Sequence, residues 1–184
     1  IERIAHGDQE AALAVLGAGL GEASSRIAMV EQIAMQYLDL GAIEPFERWS
    51  SRLAGMAPGN EIGQARIWLA AVAGGRAAEA LAVARTPSPT STTSLVNAYA
   101  EMAMAAGKPH AAIDILLHQL PQIALDSPAP AYFQAMSELG SIVRLTLALA
   151  QAGQADTARR IAGDIIRDAR LSMLPGEFAC QRAA

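Results

Sequence analysis

Apolar positions recur at intervals of three and four through most of the chain, as in "IAMVEQIAMQYLDL" (27–40), "SLVNAYAEMAMAA" (94–106) and "ARRIAGDIIRDAR" (158–170). This spacing gathers apolar side chains on one face of an α-helix and predicts a succession of amphipathic helices. Each pattern is interrupted at a glycine, and a second helical pattern follows. Glycine supplies the backbone freedom for a tight reversal, so each unit reads as helix, turn, helix.

Five such units align on a glycine followed five residues later by a mostly small residue. They are "GDQEAAL" from Gly7, "GAIEPFE" from Gly41, "GRAAEAL" from Gly75, "GKPHAAI" from Gly107 and "GQADTAR" from Gly153. The fifth-residue positions are Ala12, Phe46, Ala80, Ala112 and Ala158, and successive anchors lie 34, 34, 32 and 46 residues apart. One helix pair cannot bury its apolar face alone, whereas stacked neighbours share a continuous core. Two interruptions break the rhythm. Pro87 and Pro89 in "RTPSPTSTTS" exclude helix and predict a loop whose hydroxyl residues cap the next helix. In "LPQIALDSPAPAYF", Pro121 ends or bends one helix, and Ser127 with Pro128 is the expected start of an extended final first helix. The tail is expected to leave the last helix near Pro175.

With these glycine and alanine positions the chain resembles the tetratricopeptide-repeat family, whose unit is a helix pair of about 34 residues. The second repeat adds Ile33, Ala34 and Tyr37 at the family's apolar, small and aromatic positions. It departs from the pattern at Trp68 and Thr146, which occupy the small position, and at Phe46, which replaces the second-helix alanine. The resemblance implies an all-α fold, a right-handed superhelical array of antiparallel helix hairpins. It would form one domain over 1–184 with about five hairpins, the first truncated. The chain starts at Ile1 inside a helical pattern and is expected to be a fragment or processed form of a larger protein.

Composition supports helices packed through small side chains, since 52% of residues are hydrophobic but only 4% are aromatic. A net charge of −4 argues against a nucleic-acid surface, which needs an excess of Lys and Arg on one face. The longest apolar stretches, "IWLAAVAGG" and "IVRLTLALAQAG", fall short of the roughly 20 residues that span a bilayer, so no membrane insertion is expected. A single cysteine, Cys180, permits no internal disulfide and fits a reducing, cytoplasmic compartment.

Candidate chemistry is sparse. His110, Asp114 and His118 stand four residues apart and form one polar column on a helix, a spacing that also suits metal ligands. Their repeat positions, opposite Ala112, Ile113 and Leu116, make a hydrated outer face the expected reading. "GAGLGE" follows a helical pattern and lacks the strand-turn-helix setting of a phosphate cradle. Glu47, Asp164 and Asp168 read as solvated helix faces, and Cys180 as incidental. No catalytic residue, metal or cofactor is expected.

The resemblance implies instead that the first helix of each pair lines a concave groove through its fifth and ninth positions. These correspond to Glu31 and Met35, Ala65 and Leu69, Asn97 and Glu101, and Val143 and Leu147, with Met104 one turn beyond Glu101. Met35 and Met104 suit either groove or inter-repeat core. Family members that clamp a terminal carboxylate place Lys, Arg and Asn here, and only Asn97 conforms. The expected function is a non-enzymatic scaffold that binds an apolar or helical segment of a protein or peptide, with the acidic residues disfavouring anionic segments. The alternative is a ligand-sensing or regulatory repeat module of a larger signalling or transcription protein.

Overall fold

A computed structural model of the chain describes residues 23–56, 59–127, 131 and 138–172. The hairpin anchored at Gly7, the "GAGLGE" segment, Pro128 and the tail with Pro175 and Cys180 lie outside the described residues. Among the described residues the only regular elements are helices: α1 (Ala23–Asp39), α2 (Ile43–Met56), α3 (Glu61–Ala73), α4 (Ala77–Val83), α5 (Thr93–Ala105), α6 (Pro109–Gln119), α7 (Leu139–Gln151) and α8 (Ala155–Ser172). They fall into two compact units, Ile1–Arg76 and Ala77–Ala184.

The four described anchor glycines share one local structure. Gly41, Gly75, Gly107 and Gly153 have φ of 67°, 71°, 71° and 81°. Each donates its N–H to the carbonyl three residues back, and the following residue donates to the carbonyl five back, as in Gly107 to Met104 (3.0 Å) and Lys108 to Ala103 (2.8 Å). This paired closure satisfies carbonyls that a helix end otherwise leaves open. A Cβ on any of the four would meet nothing within 4 Å, so the left-handed backbone alone selects glycine here.

In the first unit α2 packs against both α1 and α3. Val30, Ile33 and Ala34 of α1 meet Phe46, Trp49 and Leu53 of α2 and Ala70 of α3 in one core cluster, with Tyr37 packed partly buried at its edge. Trp68, where a small residue was expected, is 6% exposed. Gly63 of α3 lies so near α2 that a Cβ there would already touch the Ala54 Cα at 3.4 Å. The start of α3 is fixed by Asn60, whose side chain accepts the Ile62 N–H at 2.8 Å. Trp49 Nε1 and Ser50 Oγ are buried without a hydrogen-bond partner. Such a group costs about 1–3 kcal/mol when desolvated. Ser50→Ala is therefore expected to raise the unfolding free energy by about 1 kcal/mol in urea denaturation; a loss of stability would show that the hydroxyl is bonded.

In the second unit α5 packs against α4, α6 and α7, and α7 packs in turn against α6 and α8. Seven of the thirteen residues of α5 are buried, Leu95 to Ala103 contributing on nearly every side. The loop expected before it is present, with Pro87 buried and Ser88 bonded to the hydroxyls of Thr90 (3.0 Å) and Ser91 (3.3 Å). Thr92 is the N-cap residue of α5, but its side chain makes no capping bond. α6 stops at Gln119, just before Pro121. Beyond it Leu120, Ile123 and Ala131 are buried. α8 holds this connection from below: Arg160 donates to the carbonyls of Ala124 (3.3 Å) and Leu125 (3.1 Å), and Asp164 accepts the Ala131 N–H at 3.0 Å.

Asp164 therefore departs from the solvated-face reading. Its side chain is only 11% exposed and it is ion-paired with Arg160 and Arg167. Ala124, Leu125 and Ala131 of the connection meet this part of α8, and the Ala131 N–H with the two arginines supplies the carboxylate with donors.

Candidate functional site

The residues expected to line a groove fall into two sets, one in each unit. In the first, Glu31 on α1 and Arg66 on α3 form an ion pair at 2.5 Å. Arg66 Nε is buried without a partner, so Glu31 is the principal counter-charge of a guanidinium held largely out of water. Met35 is partly buried. Ala65 is fully buried, and Leu69 is partly buried and packed against the core cluster. Most of this set is engaged in holding α1, α2 and α3 together.

In the second unit α5 and α7 lie side by side. Ser141, itself buried, donates its hydroxyl to Asn97 Oδ1 at 2.9 Å. One turn further along both helices, Arg144 donates through Nε to Glu101 Oε1 at 2.6 Å, and through a terminal nitrogen to the carbonyl of Gly140 at 2.9 Å. Because 97 pairs with 141 and 101 with 144, the two helices run in the same direction. Met104 is partly buried. Val143 and Leu147, four residues apart and so on one face of α7, are 55% and 54% exposed.

The electrostatics differ from the sequence expectation. Glu31 and Glu101 do not present free negative charge, since each faces an arginine of the neighbouring first helix. The partly exposed Glu101–Arg144 pair contributes about 0–1 kcal/mol, so it sets how α5 and α7 align more than how stable they are. The local surface is close to neutral, and the expected selection against anionic segments loses its source. The arginines were not recognised as site residues. Arg66 and Arg144 occupy the same place in their repeats, one residue after Ala65 and Val143, and each follows a first helix bearing the glutamate it meets. That recurrence is the signal that could have found them.

The polar column stands on the outside of α6, where His110, Asp114 and His118 are all exposed. His118 donates from Nδ1 to the Asp114 carbonyl at 2.7 Å, which ties the ring to its own helix. Among the described residues no three His, Cys, Asp or Glu side chains converge in a way that could hold a metal ion. Replacing His110 and His118 together by alanine should change stability by no more than about 0.5 kcal/mol, as thermal unfolding followed by circular dichroism would show; a larger loss would give the column a structural role. Glu47 is ion-paired with Arg76 rather than isolated on a hydrated face.

Among the described residues no helix is long and apolar enough to cross a membrane. No protein-family model, curated protein or solved structure matches the chain.

Proposed function

We propose that this chain is a non-enzymatic scaffold that binds a protein or peptide through the surface formed by the first helices of a tetratricopeptide-like array. The support for the array is the recurrence of one glycine-closed helix end at four anchor positions and of buried or partly buried side chains five residues after each. The observation that carries the binding reading is the exposed pair Val143 and Leu147 beside the Glu101–Arg144 ion pair. Two large apolar side chains held on a rigid helix, next to charges that already neutralise each other, offer contact area without a competing electrostatic demand. Recognition in this reading rests on burial of apolar side chains, and Asn97, occupied by Ser141, contributes position rather than a carboxylate clamp.

The reading is tested by capturing a partner, mapping its bound segment and titrating that segment by calorimetry. Leu147→Asp should weaken binding by more than about tenfold, because an unpaired charge is costly in an apolar contact. Amidating the segment's C-terminus should change affinity by less than about twofold. Abolition by amidation, with Leu147→Asp folded and tolerated, would overturn the proposal.

A further inference from the structure

The segment from Ala78 to Thr90 is held far less firmly than the α5 helix it lies on. Of the residues of α4 only the first, Ala77, is buried; Ala80 and Leu81 are partly buried, and Ala78, Glu79, Ala82 and Val83 are exposed. A helix this short is marginal in water even when its residues favour helix, so α4 depends on its packing against α5. At its end the Ala84 N–H meets the Leu81 carbonyl at 3.3 Å, longer than the paired bonds that close the helices at the anchor glycines. Beyond it Arg85, Thr86, Ser88, Pro89 and Thr90 are exposed and Pro87 is buried. The Thr86 hydroxyl stands 3.4 Å from that of Tyr99, at the long limit of a hydrogen bond. The chain is firmly tied again at Ser91, whose N–H donates to the Ser88 carbonyl at 3.0 Å and whose carbonyl accepts from Gln119 at 3.0 Å.

We infer that residues 78–90 form a strap on α5 that opens as one piece while α5, α6, α7 and α8 stay folded. Opening gives up the buried Pro87 ring and the partial burial of Ala80 and Leu81, and the whole segment regains its conformational freedom. The helices beneath it are held differently. Leu95, Val96, Ala98, Tyr99, Ala100, Met102 and Ala103 of α5 are buried, and α6 and α7 both pack against that helix. Tyr99 stands on the side of α5 away from Asn97 and Glu101, the two residues that meet α7. In the open form Tyr99 loses its neighbour Thr86, while the α5–α7 contact is kept. The unit therefore has a closed and an open form that differ on one side of α5 and agree on the other. The inference goes beyond the scaffold reading and holds whatever the scaffold binds.

Amide hydrogen exchange of the full chain under native conditions, resolved by residue, tests the inference. The helical amides of Leu81 to Val83 are expected to be protected at least about a hundredfold less than those of Ala100 to Ala103. Urea below the unfolding transition should speed exchange in α5 and leave Leu81 to Val83 nearly unchanged, because opening the strap exposes little surface. Two variants separate the strap from the helices beneath it. Ile113→Val, at a buried position of α6, weakens packing that the open form keeps; it should lower protection in α5 and α6 by about three- to tenfold and leave Leu81 to Val83 within about twofold. Pro87→Ala should lower protection at Leu81 to Val83 by at least about threefold, although the substitution lies beyond the helix, because the strap opens as one piece. Equal protection in α4 and α5, an equal response of both to urea, or an equal loss in both on Ile113→Val would show that the segment opens only with the whole unit and would overturn the inference. So would unchanged protection at Leu81 to Val83 in Pro87→Ala, which would mean that α4 frays by itself.

Discussion

Phe46→Ala is expected to lower the unfolding free energy by about 3–5 kcal/mol, the largest loss among the substitutions considered. Phe46 is fully buried on α2, in a cluster with Val30, Ile33, Trp49 and Leu53. Its ring stands where the other described repeats have an alanine, so the space around it has been built by neighbours sized to a large residue. Removing the ring loses transfer free energy and leaves a void, because the packed helices around it collapse only in part. Chemical denaturation monitored at the tryptophans would measure it, since Trp49 lies in the same cluster and Trp68 in the same unit. A loss below about 1 kcal/mol would show that the cluster repacks freely.

Ala112→Leu acts in the opposite direction, by overfilling. Ala112 is fully exposed to its neighbours and not at all to water, on the buried face of α6 with Ile113 and Leu116. Three added carbons have no space to enter, and the expected cost is about 1–3 kcal/mol. Ala80, the same repeat position on α4, is only partly buried, and Val83 on that short helix is 87% exposed. Ala80→Leu is accordingly expected to stay within about 0.5 kcal/mol of the parent chain. Thermal unfolding of the two variants side by side separates a true close contact from a mere preference for alanine. An unchanged midpoint for Ala112→Leu, or equal losses for both, would contradict the packing described for α6.

The largest part of the architecture that was readable from sequence alone is local. Gly41, Gly75, Gly107 and Gly153 close helices with the same pair of hydrogen bonds because each needs a left-handed backbone, and that need is written in one residue type. The periodicity of Val30, Ile33, Ala34 and Tyr37, and of Phe46, Trp49 and Leu53, selects one face of a single helix, and those faces are the ones that pack. Pro87 and Pro121 exclude helix through their own rings, and the loop and the helix end are where they were expected. The exposed column of His110, Asp114 and His118 follows from the same helical spacing.

The tertiary structure decided which residues meet across helices. Glu31 and Arg66 are 35 positions apart and Glu101 and Arg144 are 43 apart, so no local spacing relates them. Only the lateral placement of one first helix against the next turns two apparent groove acids into neutral pairs. Asp164 likewise looked solvated but accepts the Ala131 N–H from 33 positions away, and Leu69 looked available but packs against the core of the first unit. The separation after Arg76, within the turn of an otherwise regular repeat, has no mark in the residues around it. Helix periodicity specifies a direction from one axis; a site is made where several axes are brought together, and that arrangement depends on side-chain volumes and contacts spread over the whole unit.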